Sequence, residues 1–99
     1  MKYPGLELDS FDKAHIWRKY IFFLIKKYMR GSILEVGAGI GSFTNNYKHL
    51  TNDITLSEID DNNLSIIEEK YKDTKFNFTN KETKNLNNNF DTIMYLNVL

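Results

Sequence analysis

Hydrophobic positions along the chain change their period several times, and each change marks an element. Residues 1–8 read as an extended lead-in, with Pro4-Gly5 as a turn signal. Asp9 or Ser10 can then cap a helix, and Asp12 is favourable in its first turn. Ile16, Tyr20, Phe23, Leu24 and Tyr28 recur at helical spacing and predict a broad apolar face. Lys26, Lys27 and Arg30 suit the last turns, and Gly31 supplies the stop. Beyond it the period shortens. Ser32 to Val36 is a short apolar run ending in Gly37-Ala38-Gly39-Ile40-Gly41, which predicts a strand feeding a glycine turn. Ser42 to Leu50 reads as a helix with Phe43 and Tyr47 on one face, and Ile54 to Glu58 as a second strand. Asp60 or Asp61 can cap the next helix, which buries Leu64, Ile67 and Tyr71. Lys75 to Phe78 predicts a third strand, the Asn-rich segment Thr79 to Asn89 a loop, and Phe90 to Leu96 a fourth strand.

Strands alternating with helices predict an α/β fold, a Rossmann-like parallel sheet with helices on both faces. It holds four strands behind an N-terminal helix. Parallel strands are normally covered on both faces, yet no helix follows the fourth strand in this sequence. The fold is therefore expected to be incomplete at Leu99, with one face of Ile93, Tyr95 and their neighbours open to water. Such a chain by itself is expected to be poorly soluble or loosely folded.

Composition adds mainly exclusions. Apolar residues make up 41% and charged residues 26% of the 99 positions, an ordinary soluble balance in a chain of single-domain length. Lys plus Arg and Asp plus Glu stand at 13 each, so net charge gives no argument for nucleic acid or an anionic membrane surface. The longest apolar run, Tyr20 to Ile25, is far short of the roughly 18 residues a membrane span needs. No apolar stretch follows the first residues as a secretory signal would require, and a cytoplasmic protein is the expectation. Cysteine is absent, which excludes disulfides and thiolate metal sites. His15 and His49 stand alone without metal-ligand spacing. Oligomeric state is not legible.

The chemistry concentrates in the glycine turn. A strand that turns sharply into a helix while its backbone touches a ligand needs residues without Cβ. Open α/β sheets bind ligands at the carboxyl ends of their strands, where this turn lies. A helix behind it would offer free N–H groups to an anionic group of the ligand. The alternative is a tight packing turn with no ligand at all. A dinucleotide fingerprint, G-x-G-x-x-G, would need a small residue where Ser42 stands, whereas glycine comes one residue early at Gly41. Glu35 in place of an apolar residue is a second departure from that pattern. No P-loop motif is present.

Ile33 to Thr44, ILEVGAGIGSFT, resembles the first motif of class I S-adenosylmethionine (SAM) dependent methyltransferases. The chain also resembles that family in the acid Glu58 at the end of the second strand and in the fourth-strand sequence FDTIMYLNVL. Ala14, Trp17 and Tyr20 are similar to the aromatic A-x-x-W/Y-x-x-Y pattern of a subgroup with a preceding helix. The resemblance implies SAM as cofactor. It divides the chain into a lead-in and helix over residues 1–31 and the SAM-binding half of a methyltransferase domain over residues 32–99, truncated at its C-terminus.

The resemblance implies that Gly37, Ala38, Gly39 and Gly41 form the turn against the cofactor, and that Glu35 reaches the methionine amino group, often through water. A solvated strand-end charge is the other reading of Glu35. Glu58 can accept both ribose hydroxyls, and Ile59 would pack on the adenine face; otherwise Glu58 merely charges the start of a helix. Asn80 or Glu82 would meet the adenine edge, and Asn97 would lie near the methionine moiety or simply end its strand. His15, Trp17 and Tyr20 are either part of a lid or helix core. No catalytic residue emerges, because the family takes acceptor contacts mainly from insertions and later strands. The implied activity is methyl transfer to a small molecule or glycan, with this chain alone inactive. A non-catalytic nucleotide-binding fragment and, less favoured, an NAD-dependent oxidoreductase are the alternatives.

Overall fold

The computed structural model describes residues 10–81 and 90–95. Helix α1 spans Ser10–Ile25 and tightens into one 3-10 turn, Lys26–Tyr28, before strand β1 at Ile33–Val36. Helix α2, Thr44–Tyr47, connects β1 to β2, Ile54–Ser57. Helix α3, Asp61–Lys70, leads to β3, Asn77–Thr79, and β4 is Thr92–Tyr95. The strands form one sheet in the order β3-β2-β1-β4, with every pair parallel. Leu34 thus stands between Thr55 and Ile93. This is the α/β arrangement expected from the alternation of periods.

The core lies on the sheet face that carries Ile33, Ile54, Leu56 and Met94. Phe43 and Tyr47 reach it from around α2, Ile67 and Tyr71 from α3, and Ile21, Phe22 and Ile25 from α1. On the opposite face Ile93 and Tyr95 are about half exposed, as expected for that strand. Among the described residues no helix is long and apolar enough to cross a membrane.

Helix α1 buries the face opposite to the one its sequence suggests. Ile16, Tyr20, Phe23, Leu24 and Tyr28 are all exposed. The partly buried positions are Ala14, Arg18, Ile21, Phe22 and Ile25, an equally regular helical set. The segment is apolar nearly all round, so periodicity alone permits two orientations, and packing selects the second. Its α-helical part also ends before Lys26, well short of Gly31.

Helix α2 is a single turn rather than the Ser42–Leu50 helix expected. Its bonds mix three- and four-residue spans, Asn46 N–H to Phe43 carbonyl and Lys48 N–H to Thr44 carbonyl, both at 2.9 Å. Thr and Asn have little intrinsic preference for helix, which fits so short an element. Strand β3 begins at Asn77 instead of Lys75 because Thr74 and Phe76 close the turn after α3: the Thr74 hydroxyl donates to the Tyr71 carbonyl at 2.6 Å and accepts the Phe76 N–H at 3.1 Å. Strand β4 is tied to the start of β1 by Asp91, whose Oδ2 accepts the Ser32 N–H at 2.9 Å while its own N–H donates to Ser32 Oγ at 3.0 Å.

Candidate functional site

Sequence-adjacent strands step from β1 to β3 in one direction, and the chain then returns to place β4 on the other side of β1. Ligands of open α/β sheets bind beside such a reversal, at the carboxyl ends of the strands. A cleft of about 460 Å³ opens there, within the usual range for small-ligand sites. Gly37, Ala38, Gly39, Ile40 and Ser42 line it from the glycine turn. Glu58, Ile59 and Asn63 line it from the end of β2 and the start of α3, and Arg18 from α1.

The turn is bolted to its neighbours. Gly37 and Ala38 N–H groups both donate to the Ser57 carbonyl, at 2.9 and 3.0 Å. Glu58 Oε1 accepts the Gly39 N–H at 2.6 Å, and Oε2 accepts the Asp60 N–H at 3.0 Å. Its side chain is therefore held by two backbone donors while the residue is 8% exposed. Each carboxylate oxygen has two lone pairs, so one acceptor position on each stays open for a ligand. Asp60 caps α3 itself, its Oδ1 accepting the Asn63 N–H at 2.9 Å. Glu58 is not needed for that task.

Gly39 takes a φ of +61°, and a Cβ built there meets nothing within 4 Å. The space beside this backbone is open, which is what a ligand resting on the turn requires. Gly41 differs. Its φ is +85°, and an added Cβ would lie 2.9 Å from Cε2 of the Tyr71 ring. The Tyr71 hydroxyl stands 3.1 Å from the Gly41 carbonyl and 2.6 Å from Asn45 Oδ1, and Lys70 Nζ donates to the Ile40 carbonyl at 3.1 Å. The end of α3 thus holds the back of the turn.

Glu35 is fully buried, and it is not one of the cleft walls. Its Oε1 accepts the hydroxyls of Thr44 at 2.7 Å and Tyr47 at 2.6 Å, while Oε2 is buried with no partner. Burial pushes the Glu35 carboxyl above its ordinary value of 4.5, against the two hydroxyl bonds. Burial and then the Glu35 charge raise the Tyr47 hydroxyl as well, and the same causes push Tyr71 up to about 12. The solvated strand-end reading of Glu35 is thereby corrected: the residue sits inside, where it anchors α2.

Of the residues singled out from the sequence, Gly37, Ala38, Gly39, Glu58 and Ile59 come together on the cleft, and Gly41 supports the turn from behind. Ile59 is 72% exposed at the cleft edge, an apolar surface without cover. Asn80 is exposed and not on the cleft wall, and Glu82 and Asn97 lie outside the described residues. Trp17 and Tyr20 are 61% and 53% exposed with ring centroids 6.0 Å apart. Together with exposed His15 they form neither core nor cleft wall. Arg18, one position from Trp17, is the α1 residue that reaches the site. Sequence reasoning missed it along with Ile40, Ser42 and Asn63, although the last three flank motifs it had found.

No protein-family model matches the sequence, and no curated relative does either. Solved structures do. Glycopeptide N-methyltransferase MtfA complexed with sinefungin has a TM-score of 0.62 at 16% identity, over 80% of this chain and 34% of its own. DesVI of Streptomyces venezuelae has a TM-score of 0.65 at 12% identity, over 97% and 44%. Coclaurine N-methyltransferase bound to N-methylheliamine and SAH has a TM-score of 0.65 at 16% identity, over 94% and 29%. The chain spans less than half the length of each of these proteins. They show that this chain shares their Rossmann-like α/β fold over these four strands.

Proposed function

We propose that the cleft binds SAM and that the protein is a SAM-dependent methyltransferase. Glu58 carries this reading: a carboxylate fixed by two backbone N–H groups, with an open acceptor position on each oxygen, lines the same cleft as Gly39, whose Cβ side is open. A vicinal diol matches that pair of acceptors. Ile59 offers an apolar surface for the adenine, and Gly39 leaves space where any side chain would intrude. Glu35 serves from behind the cleft, keeping α2 and hence the turn in place. Residues 32–99 supply most of the cofactor site, and α1 lays one edge across it. The presence of sinefungin and SAH in neighbours of the same fold supports the choice of ligand.

When bound, SAM supplies a methyl group activated by its sulfonium. What these residues contribute is placement: Glu58 and the turn orient the nucleoside so that the methyl faces an incoming nucleophile, with water kept out. The acceptor is a small molecule or glycan-type compound, a class suggested by the glycopeptide and alkaloid-type neighbours. No base is assigned. Calorimetric titration tests the reading: SAM and SAH are expected to bind in preference to NAD and ATP, following the register Gly37, Gly39, Gly41 with Glu58 opposite. Equal heats and affinities for NAD and SAM would refute it.

A further inference from the structure

The outer face of α1 is apolar and stands in water. Ile16, Trp17, Tyr20, Phe23, Leu24 and Tyr28 are between 43% and 66% exposed. On a helix of 3.6 residues per turn the first five fall within about a third of the circumference. Trp17 and Tyr20 lie side by side in that stripe, with ring centroids 6.0 Å apart. The inner face is already in use, since Ile21, Phe22 and Ile25 pack on the core. A contiguous apolar patch of this kind marks a surface that meets another body.

Charge says what that body is. The zero balance of the whole chain hides a local excess: between Lys13 and Arg30 lie six of the 13 basic residues and none of the 13 acidic ones. Arg18 turns inward, while Lys13, Lys19, Lys26, Lys27 and Arg30 are exposed. None of these five forms an ion pair among the described residues. Two lie over exposed rings instead, Lys26 Nζ 5.6 Å from the Phe23 centroid and Lys27 Nζ 5.2 Å from that of Tyr28. The cations thus share one face with the apolar stripe. Their stems can lie along it while their heads reach an anionic layer beyond.

Because only a stripe of α1 is free, a groove that wraps a helix cannot take it, and a flat surface can. Ile16 and Leu24 present hydrocarbon where a nucleic acid would need stacking or hydrogen bonds. Trp and Tyr among aliphatic residues, with lysines alongside, suit the boundary between lipid headgroups and acyl chains. The 16 residues of α1 form a rod of about 24 Å, shorter than the roughly 30 Å hydrocarbon core, so the helix can lie in the surface without crossing it.

We propose that the outer face of α1 docks on an anionic lipid surface. Trp17, Tyr20, Phe23 and Leu24 enter the interface, and Lys19, Lys26 and Lys27 meet the headgroups. Arg18 stays on the other side of the helix, at the cleft. The proposal does not depend on which ligand the cleft takes.

Trp17 is the single tryptophan of the chain, so its fluorescence reports on this face directly. The test titrates the protein with vesicles of phosphatidylcholine alone and of phosphatidylcholine with phosphatidylserine, and checks binding by cosedimentation. With the anionic vesicles the emission is expected to move to shorter wavelength and the protein to sediment, an effect that weakens as salt is raised. Neutral vesicles should do neither. Each lysine near an anionic surface contributes about fivefold in partitioning, so the double variant Lys19→Ala, Lys26→Ala should bind about twentyfold more weakly. Phe23→Ser with Leu24→Ser should also weaken binding, with the parent's Tm retained because both side chains are exposed. Equal binding to the two kinds of vesicle, or none to either, would overturn the proposal; this comparison needs only the parent. An emission already at short wavelength without lipid would also overturn it. Dependence of that emission on protein concentration would then point to a second copy on this face, and independence to another segment of the protein. A shift with soluble poly-glutamate but not with anionic vesicles would overturn it in favour of an acidic protein partner.

Discussion

Replacing Glu58 by glutamine removes an acceptor from a side chain that serves two backbone donors. The carboxylate takes the Gly39 N–H at 2.6 Å and the Asp60 N–H at 3.0 Å, one on each oxygen. Glutamine keeps one oxygen and turns the other position into an NH₂ group, a donor facing a donor. One backbone bond is lost whichever way the amide is turned. A hydrogen bond to a charged group contributes about 1.5–3 kcal/mol, so the unliganded protein should lose roughly 2 kcal/mol. In a domain of this size that lowers Tm by on the order of 10 °C. Ligand binding should fall separately, by about 1.5–3 kcal/mol, because the ribose also loses an ionised acceptor. Urea unfolding reads the first loss, and calorimetry with SAH and its 2′-deoxy analogue reads the second. Removing the 2′-hydroxyl should cost much less in Glu58→Gln than in the parent. A parent-like urea midpoint would refute the bridging geometry, and fully additive losses in the binding cycle would refute the ribose contact.

Two glycines of the turn should respond differently. Gly39→Val should abolish SAH binding with a modest fall in Tm, since its side chain enters open space and the left-handed backbone costs only about 1–2 kcal/mol. Gly41→Ala adds to a similar strain a methyl 2.9 Å from the Tyr71 ring, so its Tm should fall further than the Gly39 variant's; the reverse order in thermal melts would contradict the packing. Glu35→Gln tests the buried carboxyl. Because burial raises the folded-state value, this group's protonation contributes stability fully present below about 4.5 and lost as pH rises through the folded value. The variant keeps a carbonyl oxygen for Thr44 and Tyr47, so its Tm relative to the parent should improve as pH rises above about 4.5. A pH-independent difference would show that Glu35 is not carried as a buried charge.

Strand β1, the turn behind it and the start of α3 were legible in the sequence because each has a local physical signature. A short β-branched and apolar run bounded by glycines reads as a buried strand, alternate glycines mark left-handed backbone, and Asp60 two residues past Glu58 announces a cap. The buried face of α1 was not legible in this way. Its apolar residues occupy both sides, and only contact with Phe43, Tyr47 and the sheet decides that Ile21, Phe22 and Ile25 turn inward. That same rotation brings Arg18 to the cleft. The surroundings of Glu35 depend on hydroxyls nine and twelve residues ahead. Spacing within one strand carries no trace of them.

The wall residues of the cleft all lie between Arg18 and Asn63, upstream of β3 and β4. The bond from Gly39 to Glu58 closes a loop of 19 residues, whereas the bond tying Ser32 to Asp91 closes one of 59. By chain entropy alone the longer closure costs about 1 kcal/mol more, and contacts distant in sequence form late. The ligand site is thus expected to assemble while the last strand is still undocked. A cofactor that binds at that stage would shift the chain toward its ordered state by mass action, so its concentration would govern the yield of folded protein as well as the occupancy of the site.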